Sequence, residues 1–313
     1  SYWIRRVALA LALAVPAGAT AQDDLAGVCA GVVNAPEECY LATGTARIIQ
    51  PRIGLALWGG SPEPGTASTV GLRLRGSPRW TVSGRLTLVP TTLPPLPDRT
   101  GASATGLVGS GSLQTTIGLF QGYSPLPTMG GFLSLDLIAR GSYARLPTGK
   151  GFRDPNVWGV AAGLRLGVLR ESLVLPGLSV TTTYGRGGTV TYGDPDGSTD
   201  GAIQGAVSGL HATVAASRRL FGLRLGAGLS YDRYMSDVLV RYSAPPLGTP
   251  VSNRADAVMH RWSAFGSLTW TRTVYHGVLE LGLQESPTPG GLPADVSLDP
   301  AGWWVSAAFR VTP

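Results

Sequence analysis

The sequence predicts an all-β protein, a transmembrane antiparallel up-and-down β-barrel of about twelve strands, with about ten to fourteen as the range. Three observations predict it. Apolar and polar side chains alternate over about a dozen segments, the period of a strand with two unlike faces. The connections between these segments are longer and shorter in turn along the whole chain. Charge is also scarce: 14% of the 313 residues are charged against 43% hydrophobic, with 44 glycines and 24 prolines. An ordinary soluble domain carries about 25% charge and about 7% glycine. Each glycine weakens a helix by about 0.8–1 kcal/mol, which excludes a mainly helical protein.

Residues 1–21 have the order of an export signal. Arg5 and Arg6 precede the apolar run VALALALAV, and Ala19-Thr20-Ala21 supply small residues for cleavage before Gln22. The run is too short for a spanning helix, which needs about 20 apolar residues. Sec-type export is therefore expected. Residues 22–46 follow as an N-terminal periplasmic segment. In it Cys29 and Cys39 are expected to close a small disulfide loop, as paired cysteines do in exported chains. Residues 47–313 are expected to form the barrel.

Within that span, alternation marks strands near 47–58, 68–76, 79–89, 111–120, 132–144, 157–169, 177–186, 203–217, 220–233, 259–271, 274–284 and 302–312. The stretch GLRLRGSPRWTVSGRLTLVP (71–90) is typical. Leu72 and Leu74 alternate with Arg73 and Arg75, and after a turn Leu86 and Leu88 alternate with Arg85 and Thr87. The shorter connections lie at 75–79, 121–131, 170–176, 217–219 and 271–273, and the long ones between them. MSDVLVRYSAPPLGTPVSNRADA (235–257) is one of the long ones. A soluble sandwich has no reason to sort its loops by end, whereas membrane barrels have short periplasmic turns and long external loops. Outward-parity aromatics fall at both ends of the strands. Trp80, Phe221, Trp270, Tyr275 and Phe309 lie beside the short turns, and Trp158, Tyr184, Tyr231, Trp262 and Trp303 near the long loops. Two such girdles suit the two headgroup layers of a bilayer.

The export signal, the alternating segments and the closing stretch WWVSAAFRVTP resemble those of Gram-negative outer-membrane β-barrel proteins. In that stretch Trp303, Val305, Ala307, Phe309 and Val311 share one parity, like the terminal strand read by the family's assembly machinery. The family usually ends on an aromatic residue, and this sequence ends Val311-Thr312-Pro313. The resemblance implies an outer-membrane location, with lipid and the barrel-assembly machinery as partners. It names no subfamily and brings no substrate motif.

Inward parity then collects Arg52, Arg73, Arg75, Arg85, Arg140, Arg165, Arg224, Arg261 and Arg310 against Asp136, Asp232 and Glu280. The net charge is +6, and Lys150 is the only lysine. Basic residues spread singly in this way speak against nucleic-acid binding. Arg52, Arg73, Arg75, Arg224 and Arg310 are expected toward the periplasmic end, as a basic ring favouring anionic solutes. The expected function is a channel for small solutes, anionic ones by preference. The alternative is a structural or surface-interaction barrel whose lumen is plugged. Enzymatic activity is not expected. Of His211, His260 and His276, only His260, near Asp256, offers an acid–base pair, which is weak ground for an outer-membrane hydrolase. No cofactor or metal is expected: the glycine runs open no helix, and Gly193–Gly197 with Asp200 lacks the ligand spacing of a calcium loop.

Overall fold

The computed structural model describes residues 37–61, 65–66, 80–93, 104–124, 130–148, 151–172, 175–193, 202–244, 249–272, 274–285 and 301–312. Among these residues one helix, α1 (Glu37–Trp58), precedes ten strands. These are β1 (Trp80–Leu93), β2 (Ala104–Phe120), β3 (Ser134–Arg145), β4 (Asn156–Leu169), β5 (Gly177–Tyr192), β6 (Ala202–Leu220), β7 (Leu223–Ala244), β8 (Thr249–Arg272), β9 (Tyr275–Glu285) and β10 (Ala301–Val311). Each strand pairs antiparallel with its sequence neighbours, and β1 pairs with β10 to close the barrel. Closure gives every strand two neighbours, which is what lets a sheet sit in a medium that offers no hydrogen bonds.

Alternation is resolved face by face. Leu86, Leu113, Val160, Leu229 and Leu281 are each at least 60% exposed, on the outside. Thr81, Ser83, Arg85 and Thr87, interleaved with Leu86, are buried on the inside. A sandwich in water would have the reverse arrangement. All ten girdle aromatics lie on the outer surface, with Tyr275 stacked on Phe309 and Tyr231 tilted against Trp262. Phe221 sits in the two-residue turn Phe221-Gly222 between β6 and β7, not on a strand. Its φ of 50° and that of Gly222, 84°, are the left-handed pair of a tight hairpin.

Among the described residues the wall has ten strands, and one expected strand is not part of it. Residues 47–58 form the second half of α1, so the helix runs across the expected boundary at residue 46. Alternation misleads here because the segment is apolar nearly all round, and a helix enclosed by a barrel needs no polar face. Residues 68–76, with Arg73 and Arg75, lie outside the described residues. So do the export signal and Cys29, and of Cys39 only the backbone in the first turns of α1 is described. The long connection expected at 235–257 is instead a continuous extension of β7 and β8, whose ladder runs from Leu223↔Trp270 to Ala244↔Thr249. This hairpin stands past β9, which leaves β8 at Ser263↔Gln284.

Candidate functional site: the helix in the lumen

α1 lies inside the barrel. Every residue from Gly44 to Gly60 is buried except the half-buried Arg47. Its direction follows from its neighbours. Ala46 and Ile49 pack near Val190, Tyr192 and Ile203, beside the long connection 193–201. Arg52 lies against Gly302, at the long-connection end of β10. Past the helix, Thr66 reaches the short-turn end, where its hydroxyl accepts from the Glu171 N–H at 2.8 Å and its carbonyl from Arg165. The chain thus threads the lumen from the long-connection end to the short-turn end before β1 begins. Arg52 is in the lumen but on the helix, away from the short-turn end where it was expected.

The wall is shaped to the helix. A Cβ on Gly185 would stand 2.5 Å from the Trp58 ring, and one on Gly159 3.2 Å from Leu57. Gly54 of the helix itself takes the Tyr234 ring. The extended β7–β8 hairpin contributes Val238, Val240, Ala255, Ala257 and Met259 to the apolar cluster shared with Ile49, Ile53 and Leu57. From the same hairpin Ser236 donates to the Gln50 side-chain carbonyl at 2.6 Å.

The C-terminal end of α1 is held by polar groups. A helix leaves its last four carbonyls without partners, and they carry its negative pole. The last turn of α1 contains no basic residue of its own. The wall supplies the donors instead. Ser110 Oγ donates to the Ala56 carbonyl at 2.6 Å, Ser142 Oγ to Leu57 at 2.8 Å, Arg140 Nη1 to Trp58 at 2.8 Å and Arg85 Nη1 to Gly59. Three adjacent strands, β1 to β3, thus serve four successive carbonyls. Arg140 is steadied by Gln114 Oε1, 2.6 and 2.9 Å from its Nη2 and Nε. Arg85 pairs with Glu280 at 2.7 Å, and Glu280 also accepts from Trp304 Nε1 at 3.0 Å and from the Ser61 N–H at 3.1 Å.

The remaining sequence-predicted residues are placed as follows. Asp136 faces Arg165 at 3.7 Å, and both are buried. Arg224 pairs with Glu171 at 2.7 Å near the short-turn end. Arg261 is buried and donates to the His260 carbonyl, and Arg310 is buried beside β1. Asp232 bonds His211 Nδ1, and the chain continues from His211 Nε2 to Thr213 at 2.8 Å and on to Ser230 at 2.9 Å. This buried relay is part of the polar lining of the wall. His276 meets Thr271 at 3.0 Å. His260 stands on the outer surface and shares a hydrogen bond with the Tyr231 hydroxyl at 2.6 Å, so its described partner is Tyr231 and not Asp256. Among the described residues no three His, Cys, Asp or Glu side chains group as a metal site would require. Sequence reasoning missed Ser110, Gln114 and Ser142. Gln114 and Ser142 fell on expected strands and Ser110 just before one, but nothing marked them as helix-binding while residues 47–58 were read as a strand.

A closed antiparallel wall, leucines outside, aromatics at both rims and polar side chains within together decide the architecture. The fold is that of an outer-membrane β-barrel. No protein-family model matches the chain, and no curated protein matches it in sequence. Among solved structures, this barrel is similar to the β domain of the Bordetella autotransporter BrkA, with 13% identity, 74% of this chain and 98% of that one covered, and a TM-score of 0.43. It is similar to the translocator domain of the autotransporter NalP from Neisseria meningitidis, with 11% identity, 74% and 88% covered and a TM-score of 0.41. Similarity to the copper transporter OprC has 15% identity and a TM-score of 0.29, over 66% of this chain and 37% of that one. This barrel therefore spans little more than a third of OprC.

Proposed function

We propose that the protein is an outer-membrane barrel held shut by its own N-terminal helix, and that it carries its chain across the membrane to present residues preceding Glu37 at the outer face. The observation that carries this reading is the four-carbonyl clamp on α1, with its threaded direction. Long connections face outward in such barrels, so the N-terminal end of the helix is at the external mouth. The segment before it, read from sequence as periplasmic, then lies outside the cell. This role is akin to that named for the Neisseria translocator domain, but it rests on the helix and not on that likeness. Three of the arginines that would favour an anionic solute, Arg85, Arg140 and Arg165, instead bond the helix, its following linker or lumen acids. Passage of small anions is the second reading, and it requires the helix to leave.

Planar-bilayer conductance separates the two. The full chain is expected to show no steady pore, whereas a chain lacking residues 37–61 conducts. Steady anion-selective current from the full chain overturns the plugged reading. Protease added outside intact cells is expected to cleave before Glu37, and protection there overturns the threading.

A further inference from the structure

Three of the strands that run toward the long-connection end carry the same outward pair, a tyrosine and, two residues on, an arginine. They are Tyr143 and Arg145 on β3, Tyr184 and Arg186 on β5, and Tyr231 and Arg233 on β7. Each tyrosine stands about eight residues past the first of its strand. Two residues of strand span about 7 Å, so each guanidinium is one step beyond a ring at headgroup depth. His260 repeats the step beyond Trp262 on β8, directly across from Arg233. Among the described residues none of the three guanidiniums forms an ion pair.

Between β5 and β8 the wall opens into a groove of about 690 Å³, lined by Tyr184, Arg186, Ser208, Arg233 and, farther out, Asp237 and Asp256. It opens where the β5–β6 ladder shifts register between Arg186 and Thr189. The two acids face each other across β7 and β8 at its outer lip, with Arg254 Nη1 3.6 Å from Asp237. The inner half of the groove, next to the apolar band, is therefore cationic, and the acids lie on the water side.

We propose that this groove binds the phosphate of an outer-leaflet lipid headgroup, held by Arg186 and Arg233 with the acyl chains along the band below. The proposal rests on the outer-membrane reading. Position decides for a lipid over a soluble anion: the guanidiniums open sideways, against the aromatic belt, where a headgroup arrives with its chains already in the bilayer. A guanidinium donates in pairs to phosphate oxygens, so Arg186 and Arg233 can share one phosphate between them.

The test reconstitutes the full chain in phosphatidylcholine bilayers with and without a diphosphorylated glycolipid (lipid A). Lipid retained after mild extraction is counted by native mass spectrometry. Wild type is expected to retain lipid A over phosphatidylcholine by at least about tenfold, the order of one charge-assisted contact. The double variant Arg186→Gln/Arg233→Gln loses that preference, and Arg254→Gln keeps it. Equal retention of both lipids, or an unchanged double variant, overturns the proposal. Displacement of lipid A by millimolar inorganic phosphate also overturns the lipid assignment, because it identifies a bare anion site. A chain that never acquires a heat-dependent gel shift in either bilayer overturns the membrane reading itself. One that inserts but shows no preference sinks this proposal alone.

Discussion

Glu280 holds three groups at once, Arg85, Trp304 and the Ser61 amide, with its side chain fully enclosed. Removing one member of a buried pair costs more than the pair contributes, since the other charge stays behind without its counter-charge. Glu280→Ala is therefore expected to lower stability by about 3–5 kcal/mol. Glu280→Gln, which keeps an acceptor for Trp304 and Arg85, should lie between that variant and wild type in urea midpoints of the reconstituted barrel. Gly185 makes a steric statement of the same kind. A methyl group there would overlap the Trp58 ring, and overpacking a filled site costs about 1–3 kcal/mol. In a double-mutant cycle the loss from Gly185→Ala should shrink in the Trp58→Ala background. An unchanged loss would mean that the glycine serves the wall and not the helix.

At the scale of elements, α1 and the wall depend on each other unequally. The strands have their ladders, but the helix has the wall for its last carbonyls and for its apolar surface. Replacing Arg140 by Met removes the Trp58 carbonyl's donor while keeping bulk, and should produce intermittent conductance that wild type lacks. Long closed traces from that variant would show that the three other donors suffice. These elements also show what was legible in the sequence. Leu86 against Arg85, or Leu281 against Glu280, states which side of a strand meets lipid, and that rule carries from β1 to β10. It fails at IIQPRIGLALW (48–58), where apolar residues fit either period and Pro51 argues against a helix interior. Surroundings decide that segment: a lumen lined by Gly159, Gly185 and Gly187 has space for a helix, which no local pattern announces. The extension of β7 and β8 escaped notice for a related reason. Its inward residues Ala255 and Ala257 pack on a helix that alternation had not placed.

For the molecule as a whole, lipid is the solvent of the outer face, and the outer wall can be tested as such. Leu113→Arg or Leu281→Arg places a guanidinium midway along the exposed face of β2 or β9. Near the bilayer midplane this is expected to cost about 2–4 kcal/mol. The loss should be visible as a lower unfolding midpoint in vesicles and should shrink when the same change is made near the rims. Equal penalties at all depths would deny a hydrocarbon layer there. The seam between β1 and β10 has a further consequence. Once those edges zip, the ring has no lateral gate through which a helix capped from three strands could slip. The helix then acts as a mandrel, present while the sheet curls round it. A synthetic 37–61 peptide should seat if supplied during refolding of a chain that lacks it, and should remain outside when offered to the finished cylinder.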